Sequence, residues 1–397
     1  MGLIHKKHAI IALCLAIAII FSACACSGAK PSDNDGADDG AKEYVNALNL
    51  TADSRLFETD EAVYCLTGDA QSGEVLYFSD KEYKCWMPLC SKPNCSHRTQ
   101  DCNARFEGQL LGGVWLWGQN IYYTIADTAD VVHPQLWRME LDGSKHQMVL
   151  KFDLTPKEGR LPSESSDCFF HDRYAVLSYT GTDAEVTKQY HWIADLSVDP
   201  PELKELVLQD ERGEAYPYFL NPVLGKDDML ILSHLDKELY IVDLAGGTIK
   251  HLCELPFYLS RKHCTISGND LILCDGFNEG LIASVDVETG TLTTVNCAEP
   301  QTKQWYYPYK QYIFGSNGST VPSLWQTEIY DLNGELIVHI PHEDYEDKSL
   351  WIVTMVGDYV FGYEPRNGIL NTGDLPLWYL DICDIGTDKL AWRRWEP

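Results

Sequence analysis

Apolar and polar positions along this chain fall into two short patterns that recur in alternation. The first is a polar turn that runs into β-branched and aromatic residues: Asp60-Glu61-Ala62-Val63-Tyr64, Gly118-Gln119-Asn120-Ile121-Tyr122-Tyr123, Asp172-Arg173-Tyr174-Ala175-Val176-Leu177 and Asp227-Asp228-Met229-Leu230-Ile231-Leu232. It continues as Gly268-Asn269-Asp270-Leu271-Ile272-Leu273, Lys310-Gln311-Tyr312-Ile313-Phe314 and Gly357-Asp358-Tyr359-Val360-Phe361. The second pattern is an apolar run that stops at an aspartate: Asp80, Asp142, Asp195, Asp243, Asp286, Asp331 and Asp381 close its seven copies. Runs of this length and composition, bounded by turn residues, predict strands. The two sets interleave one to one.

The aspartates are 62, 53, 48, 43, 45 and 50 residues apart, which matches the period of four-stranded propeller blades with loop insertions. Glycines follow several of them, at Gly143, Gly246-Gly247, Gly290, Gly334 and Gly386. An aspartate can accept a hydrogen bond from the amide two residues on, and glycine supplies the positive φ a tight turn needs, so each pair predicts a hairpin. A fourth strand follows, as at Thr291–Val295 and Glu335–Ile340. The fold expected is all-β: a single β-propeller of about seven four-stranded blades, with six or eight as the neighbouring counts and a sandwich pair or solenoid as the rival architectures. Ring closure is expected to set Tyr44–Leu50 as a strand beside Lys389–Trp395.

The N-terminus changes the setting of this domain. Residues 1–23 carry Lys6 and Lys7, an apolar run from Ala9 to Phe21, and then small residues. This is the layout of a secretory signal, with a run short for a bilayer span; an uncleaved anchor helix is the alternative. The cleavage context Phe21-Ser22-Ala23-Cys24 resembles the lipobox of bacterial lipoproteins, with Phe21 in place of the usual leucine; the resemblance implies lipidation at Cys24, with Cys26 as second candidate. Residues 24–43 lack bulky apolar side chains and read as a flexible acidic tether. The propeller is assigned to 44–397, with a Cys-rich insertion at 85–104. The expected location is therefore extracytoplasmic, anchored to the cell membrane.

A formal charge of −28, or −30 without Lys6 and Lys7, sets the chain against nucleic acid and anionic lipid by Coulomb repulsion.

Candidate chemistry concentrates in Cys85-Trp86-Met87-Pro88-Leu89-Cys90-Ser91-Lys92-Pro93-Asn94-Cys95-Ser96-His97 and Cys102-Asn103-Ala104. Three readings stand. Secreted location favours two disulfides. Soft thiolates, either all four or three of them with His97, suit a tetrahedral structural zinc site. Redox chemistry would favour a C-x-x-C pair, which this stretch lacks. Other cysteines, such as Cys65 and Cys274, sit inside apolar runs and read as small buried hydrophobes; such scattered lone thiols suit a reducing habitat. The Pro88–His97 segment with Cys102-Asn103-Ala104 is similar to a motif of uncharacterised clostridial lipoproteins, where it precedes degenerate propeller repeats. The resemblance implies lipid anchoring and a propeller, and no activity.

Nucleophile-elbow, H-E-x-x-H, P-loop and EF-hand signatures are absent from the sequence, as are the boxes by which propeller sialidases resemble one another. His339 and His342 and the acidic run Glu343–Asp347 read as solvated surface. Aromatic groups are the better lead: Trp115, Trp117, Trp305, Tyr306 and Tyr307 are candidates for a ligand face that stacks on sugars or holds a peptide. Strand alternation puts Trp115 and Trp117 on one side and Leu116 on the other, a side that blade packing also claims. The function expected is a tethered, non-enzymatic binding or scaffolding module for protein, peptide or glycan. The alternatives are a propeller enzyme acting on glycans, and a metal or redox sensor built on Cys85, Cys90, Cys95, His97 and Cys102.

Overall fold

Seven antiparallel four-stranded units account for the two repeating patterns. The computed structural model describes residues 44–46, 56–68, 73–99, 101–106, 108–127, 130–154, 161–183, 186–216, 219–259, 264–275, 280–297, 304–317, 326–341, 350–363 and 375–395; the leader, Cys24, Cys26, the tether, His342 and the run 343–347 lie outside them. The blades span 56–88, 109–151, 161–205, 221–254, 264–296, 304–341 and 351–394, and each sheet pairs its strands in sequence order. The turn-led runs form the second strand of every blade and the aspartate-terminated runs the third, so the chain is a seven-bladed β-propeller. Among the described residues the one helical element is a 3₁₀ turn at Ile382–Asp384.

The seven aspartates do what their spacing predicts. Each accepts a hydrogen bond from the backbone N–H two residues on, from Glu82, Ser144, Ser197, Ala245, Glu288, Asn333 and Cys383, at 2.7–3.1 Å. The glycine that follows serves packing as well as the turn. Gly143 has φ +75°, and a Cβ there would lie 2.2 Å from the Leu89 carbonyl oxygen on the outer edge of blade 1. Left-handed backbone and overpacking each cost a side chain about 1–3 kcal/mol. Gly143→Ala is expected to destabilise the fold by roughly 2–5 kcal/mol, measured as a lowered denaturant midpoint at unchanged m-value.

Apolar side chains fill every junction of the ring. Tyr64 and Leu76 of blade 1 cluster with Val114 and Tyr123 of blade 2, and Leu136 of blade 2 clusters with Phe170 and Leu177 of blade 3. One larger cluster joins blades 3, 4 and 5, and others join 5 to 6 and 6 to 7. Cys65 and Cys274 are buried in these layers, as their apolar neighbours predict.

Closure differs from the expectation. The C-terminal strand Arg393–Arg394 pairs with Trp378 and Tyr379 inside its own blade. Tyr44–Asn46 pairs antiparallel with Cys264–Ser267, the first strand of blade 5. Each terminal blade therefore completes its own sheet, and closure falls to side chains. Trp395, fully buried, lies 4.9–5.9 Å from the rings of Phe361, Tyr359, Tyr379 and Trp86 and donates to Ser79 Oγ at 2.9 Å. Trp86 donates to the Pro376 carbonyl at 2.9 Å, and Lys84 reaches from blade 1 to Tyr379 Oη at 2.7 Å.

Blade 3 holds a buried histidine. His191 faces Ser178 at 2.7 Å, and burial lowers its pKa to about 4. In the unfolded chain the imidazole protonates near 6.5, so between these values the unfolded state binds the extra proton. The stabilisation is present above pH 6.5 and is lost as pH falls through 4, at most roughly 3 kcal/mol. His191→Gln is expected to flatten stability against pH across that window, measured by denaturant unfolding at half-unit steps.

Candidate metal centre

The outer strand of blade 1 is interrupted. Met87–Pro88 pairs with the third strand at Phe78 and Tyr77, and Leu89 N–H donates to the Leu76 carbonyl. The N–H of that same Leu76 donates to the Ala104 carbonyl, and Arg105 bridges to Val75. The strand thus stops at Leu89 and resumes at Ala104, and residues 90–99 and 101–103 belong to a loop cast out from its middle. Cys90 opens this loop and Cys102 nearly closes it.

The ligand atoms of Cys90, Cys95, His97 and Cys102 all lie within 4.8 Å of one another. His97 Nδ1 is 3.4 Å from Cys102 Sγ, and the His97 backbone N–H donates to Cys95 Sγ. Tetrahedral zinc, with Zn–S near 2.3 Å and Zn–N near 2.0–2.1 Å, wants ligand atoms roughly 3.5–3.8 Å apart. A contraction of about an ångström meets that requirement, and three sulfurs with one imidazole nitrogen form a closed structural donor set. All the described cysteines are free thiols.

Neighbouring side chains hold the loop in this shape. Lys92 pairs with Asp101 at 2.7 Å and Asn103 donates to Ser91 Oγ, so the two limbs are cross-linked above the thiols. Arg105 Nε donates to the His97 carbonyl at 3.2 Å, where His97 takes the left-handed backbone (φ 57°). From blade 2, His146 sits between the Asn103 carbonyl at 2.9 Å and Tyr123 Oη at 2.6 Å. Burial raises Cys102 to about 11, helped by Cys90 and Cys95. Burial acts in the same sense on Cys90 but is outweighed, and its pKa is lowered, by N–H donors at Lys92 and Asn103 and by the other thiols. One thiol thus yields its proton ahead of a close neighbour, the unequal ionisation expected where potential anions crowd together.

Cys85 is not part of the group. It precedes Met87–Pro88, and at about 3.3 Å per residue an extended strand carries the chain away from it. Of the ligand sets the sequence left open, the structure assembles the one with three cysteines and His97. Lys92, Asp101, Arg105 and His146 carried no sequence signal of their own, because their roles depend on where the strand breaks and on which blade is next.

The aromatic candidates disperse. Trp115 and Trp117 share one side, packed against the cluster between blades 2 and 3, and Leu116 packs on the other, as alternation predicts. Trp115 Nε1 donates to the Asp172 carbonyl of blade 3 at 2.8 Å. Tyr306 is buried between blades 5 and 6, Tyr307 packs against the cluster between blades 6 and 7, and Trp305 is 38% exposed. His339 is half-exposed, 3.7 Å from the buried Glu328 carboxylate.

Beside the thiol group, Cys90 and Ser91 form one wall of a cleft of about 770 Å³ between blades 1 and 2. Tyr64, Phe78, Leu89, Leu116 and Leu141 supply its apolar lining, and Asp60, Glu61, Asp80 and Asp142 its carboxylates.

Fold and site together define a seven-bladed β-propeller with a Cys₃His cluster, able to hold a metal, set in its first blade. No protein-family model matches the sequence, and no curated protein matches it. Among solved structures it is similar to the computationally designed Ika8 protein (11% identity, 82% of each chain, TM-score 0.43). It is also similar to BamB from Moraxella catarrhalis (12% identity, 78% of this chain and 80% of that one, TM-score 0.39). A puromycin hydrolase matches at 14% identity over 87% of this chain and 55% of that one, with TM-score 0.48.

Proposed function

We propose that this chain is a membrane-anchored, extracytoplasmic β-propeller that acts as a non-enzymatic binding or scaffolding module for a protein, peptide or glycan. The observation that supports this most is a ring closed by its own side chains that leaves an open cleft of about 770 Å³ at one blade junction. A ring of this kind presents loops and clefts on a rigid support, which is what recognition requires. The likeness of Phe21-Ser22-Ala23-Cys24 to a lipobox supports attachment through a lipid on Cys24.

In the same reading Cys90, Cys95, His97 and Cys102 hold a structural zinc ion. The ion would neutralise crowded thiolates and cross-link the loop across the break in the outer strand. The protein's part is to present the four donors, through the Lys92–Asp101 pair and the Arg105 and His146 contacts.

Two measurements on the full-length chain test the reading. Metabolic labelling with palmitate should mark the wild type and fail for Cys24→Ser. Peptide and glycan arrays probed with the purified chain should return a saturable ligand. Turnover of an arrayed glycan would replace binding with catalysis, and silence across both arrays would remove the binding reading.

A further inference from the structure

Three junctions between blades are laced by a cation on the face that carries the turns between first and second strands. Arg173 of blade 3 pairs with Asp228 of blade 4 at 3.1 Å, Lys226 of blade 4 donates to Gly268 and Asn269 of blade 5, and Lys310 of blade 6 pairs with Asp358 of blade 7 at 2.7 Å. In each case the cation sits at or beside the turn of the preceding blade. The turns of blades 2, 5 and 7, at Gly118-Gln119, Gly268-Asn269 and Gly357-Asp358, carry no lysine or arginine, and neither does that of blade 1, which is Thr59-Asp60-Glu61 and faces Gly118 and Gln119 of blade 2 across the cleft. Where the three laced junctions place a cation, this one places two carboxylates.

The lining extends the contrast. Asp80 and Asp142 add two further carboxylates, and no lysine, arginine or histidine is among the residues that line the cleft. Asp60, Glu61 and Asp142 are exposed. One oxygen of Asp80 and one of Asp142 are taken by their own turns. Below the rim the lining is Tyr64, Phe78, Leu89, Leu116 and Leu141. An arginine or lysine is shaped for such a place, since its methylene stem covers apolar surface while its head meets aromatic faces and carboxylates.

We infer that the cleft between blades 1 and 2 is the docking site for a basic segment of a partner protein, whose arginine or lysine meets the carboxylates of the rim while its stem covers the apolar floor. The inference rests on the binding-propeller reading and gives it a place and a chemistry. The cation enters between the turns, the residues beside it lie on Phe78 and Leu116, and Cys90-Ser91 form the wall on the side of the thiol cluster.

The test uses the full-length chain in detergent and fluorescein-labelled hexapeptides that carry one central arginine between leucines, with citrulline and glutamate versions as probes of charge. Fluorescence anisotropy should show saturable binding of the arginine peptide, weaker by about tenfold or more for citrulline and lost for glutamate. Glu61→Gln with Asp60→Asn, both on an exposed turn, should weaken binding by a similar factor, with the melting temperature as a control on folding. Equal binding of the three peptides, or binding untouched by the double variant, overturns the inference. An array ligand whose affinity ignores the double variant overturns the cleft but keeps the binding propeller; silence of every peptide and glycan overturns both.

Discussion

The purified full-length chain is expected to carry one zinc ion per molecule and to lose stability when a strong chelator removes it. An ion that binds the folded chain alone contributes RT ln(1 + [L]/Kd), about 4 kcal/mol at a thousandfold excess over Kd. Cys90→Ser and Cys102→Ser should lower the bound zinc to well under half an ion and shift unfolding by about as much as chelation. Cys85→Ser should retain the full ion, because Cys85 stands outside the cluster. Ligand thiols must shed protons, so zinc occupancy should fall on acidification. Elemental analysis counts the bound zinc, a thiol titration under denaturing conditions counts the reduced cysteines, and denaturant unfolding with and without chelator measures the loss of stability. Four oxidised cysteines, or equal zinc loss from Cys85→Ser, would end the zinc reading.

Trp395→Ala is expected to open the ring at its seam, at a cost of about 3–5 kcal/mol, the range for removing a large aromatic from a core. Trp395 is fully buried among Phe361, Tyr359, Tyr379 and Trp86, and its indole N–H is satisfied by Ser79. Its loss leaves a cavity across the one junction where the first and last blades must meet through side chains alone. Ser79→Ala, which removes only the hydrogen-bond partner, should cost about 1 kcal/mol. Guanidinium unfolding followed by tryptophan fluorescence compares them. A Trp395→Ala effect no larger than that of Ser79→Ala would show that the seam is held elsewhere.

Much of the architecture was legible because it is local. An aspartate that accepts its own amide two residues on, followed by a glycine, is a turn whatever surrounds it, and all seven aspartates form that bond. Val63, Ile121 and Val360 lie in strands for the same reason: short β-branched and aromatic runs between turns have few other ways to bury themselves. The opposite faces of Trp115 and Leu116 followed from the two-residue period of a strand.

The thiol cluster was legible only in part. Density of cysteine marked the segment, yet Cys85 and Cys102 look alike in sequence, and what separates them is a strand that stops at Leu89 and resumes at Ala104. The seam was misassigned because Lys389–Trp395 and Tyr44–Leu50 both read as strand-forming, and periodicity does not say which edge a strand will find. The cleft gave no signal, since Asp60 and Glu61 look like ordinary turn residues until the fold brings Asp80, Asp142 and the apolar lining of two blades beside them.

By itself, then, the amino-acid order determined the propeller class with about seven blades, their second and third strands and their turns, because hydrogen bonds two residues apart and a side-chain period of two depend on neighbours along the chain. Only the tertiary structure decided which cysteines meet, how the ring closes and where it stays open. Those outcomes depend on where a strand breaks and on side chains from different blades, such as Trp395 against Ser79, coming within bonding distance. No local pattern encodes such a meeting; it exists once seven sheets have packed face to face.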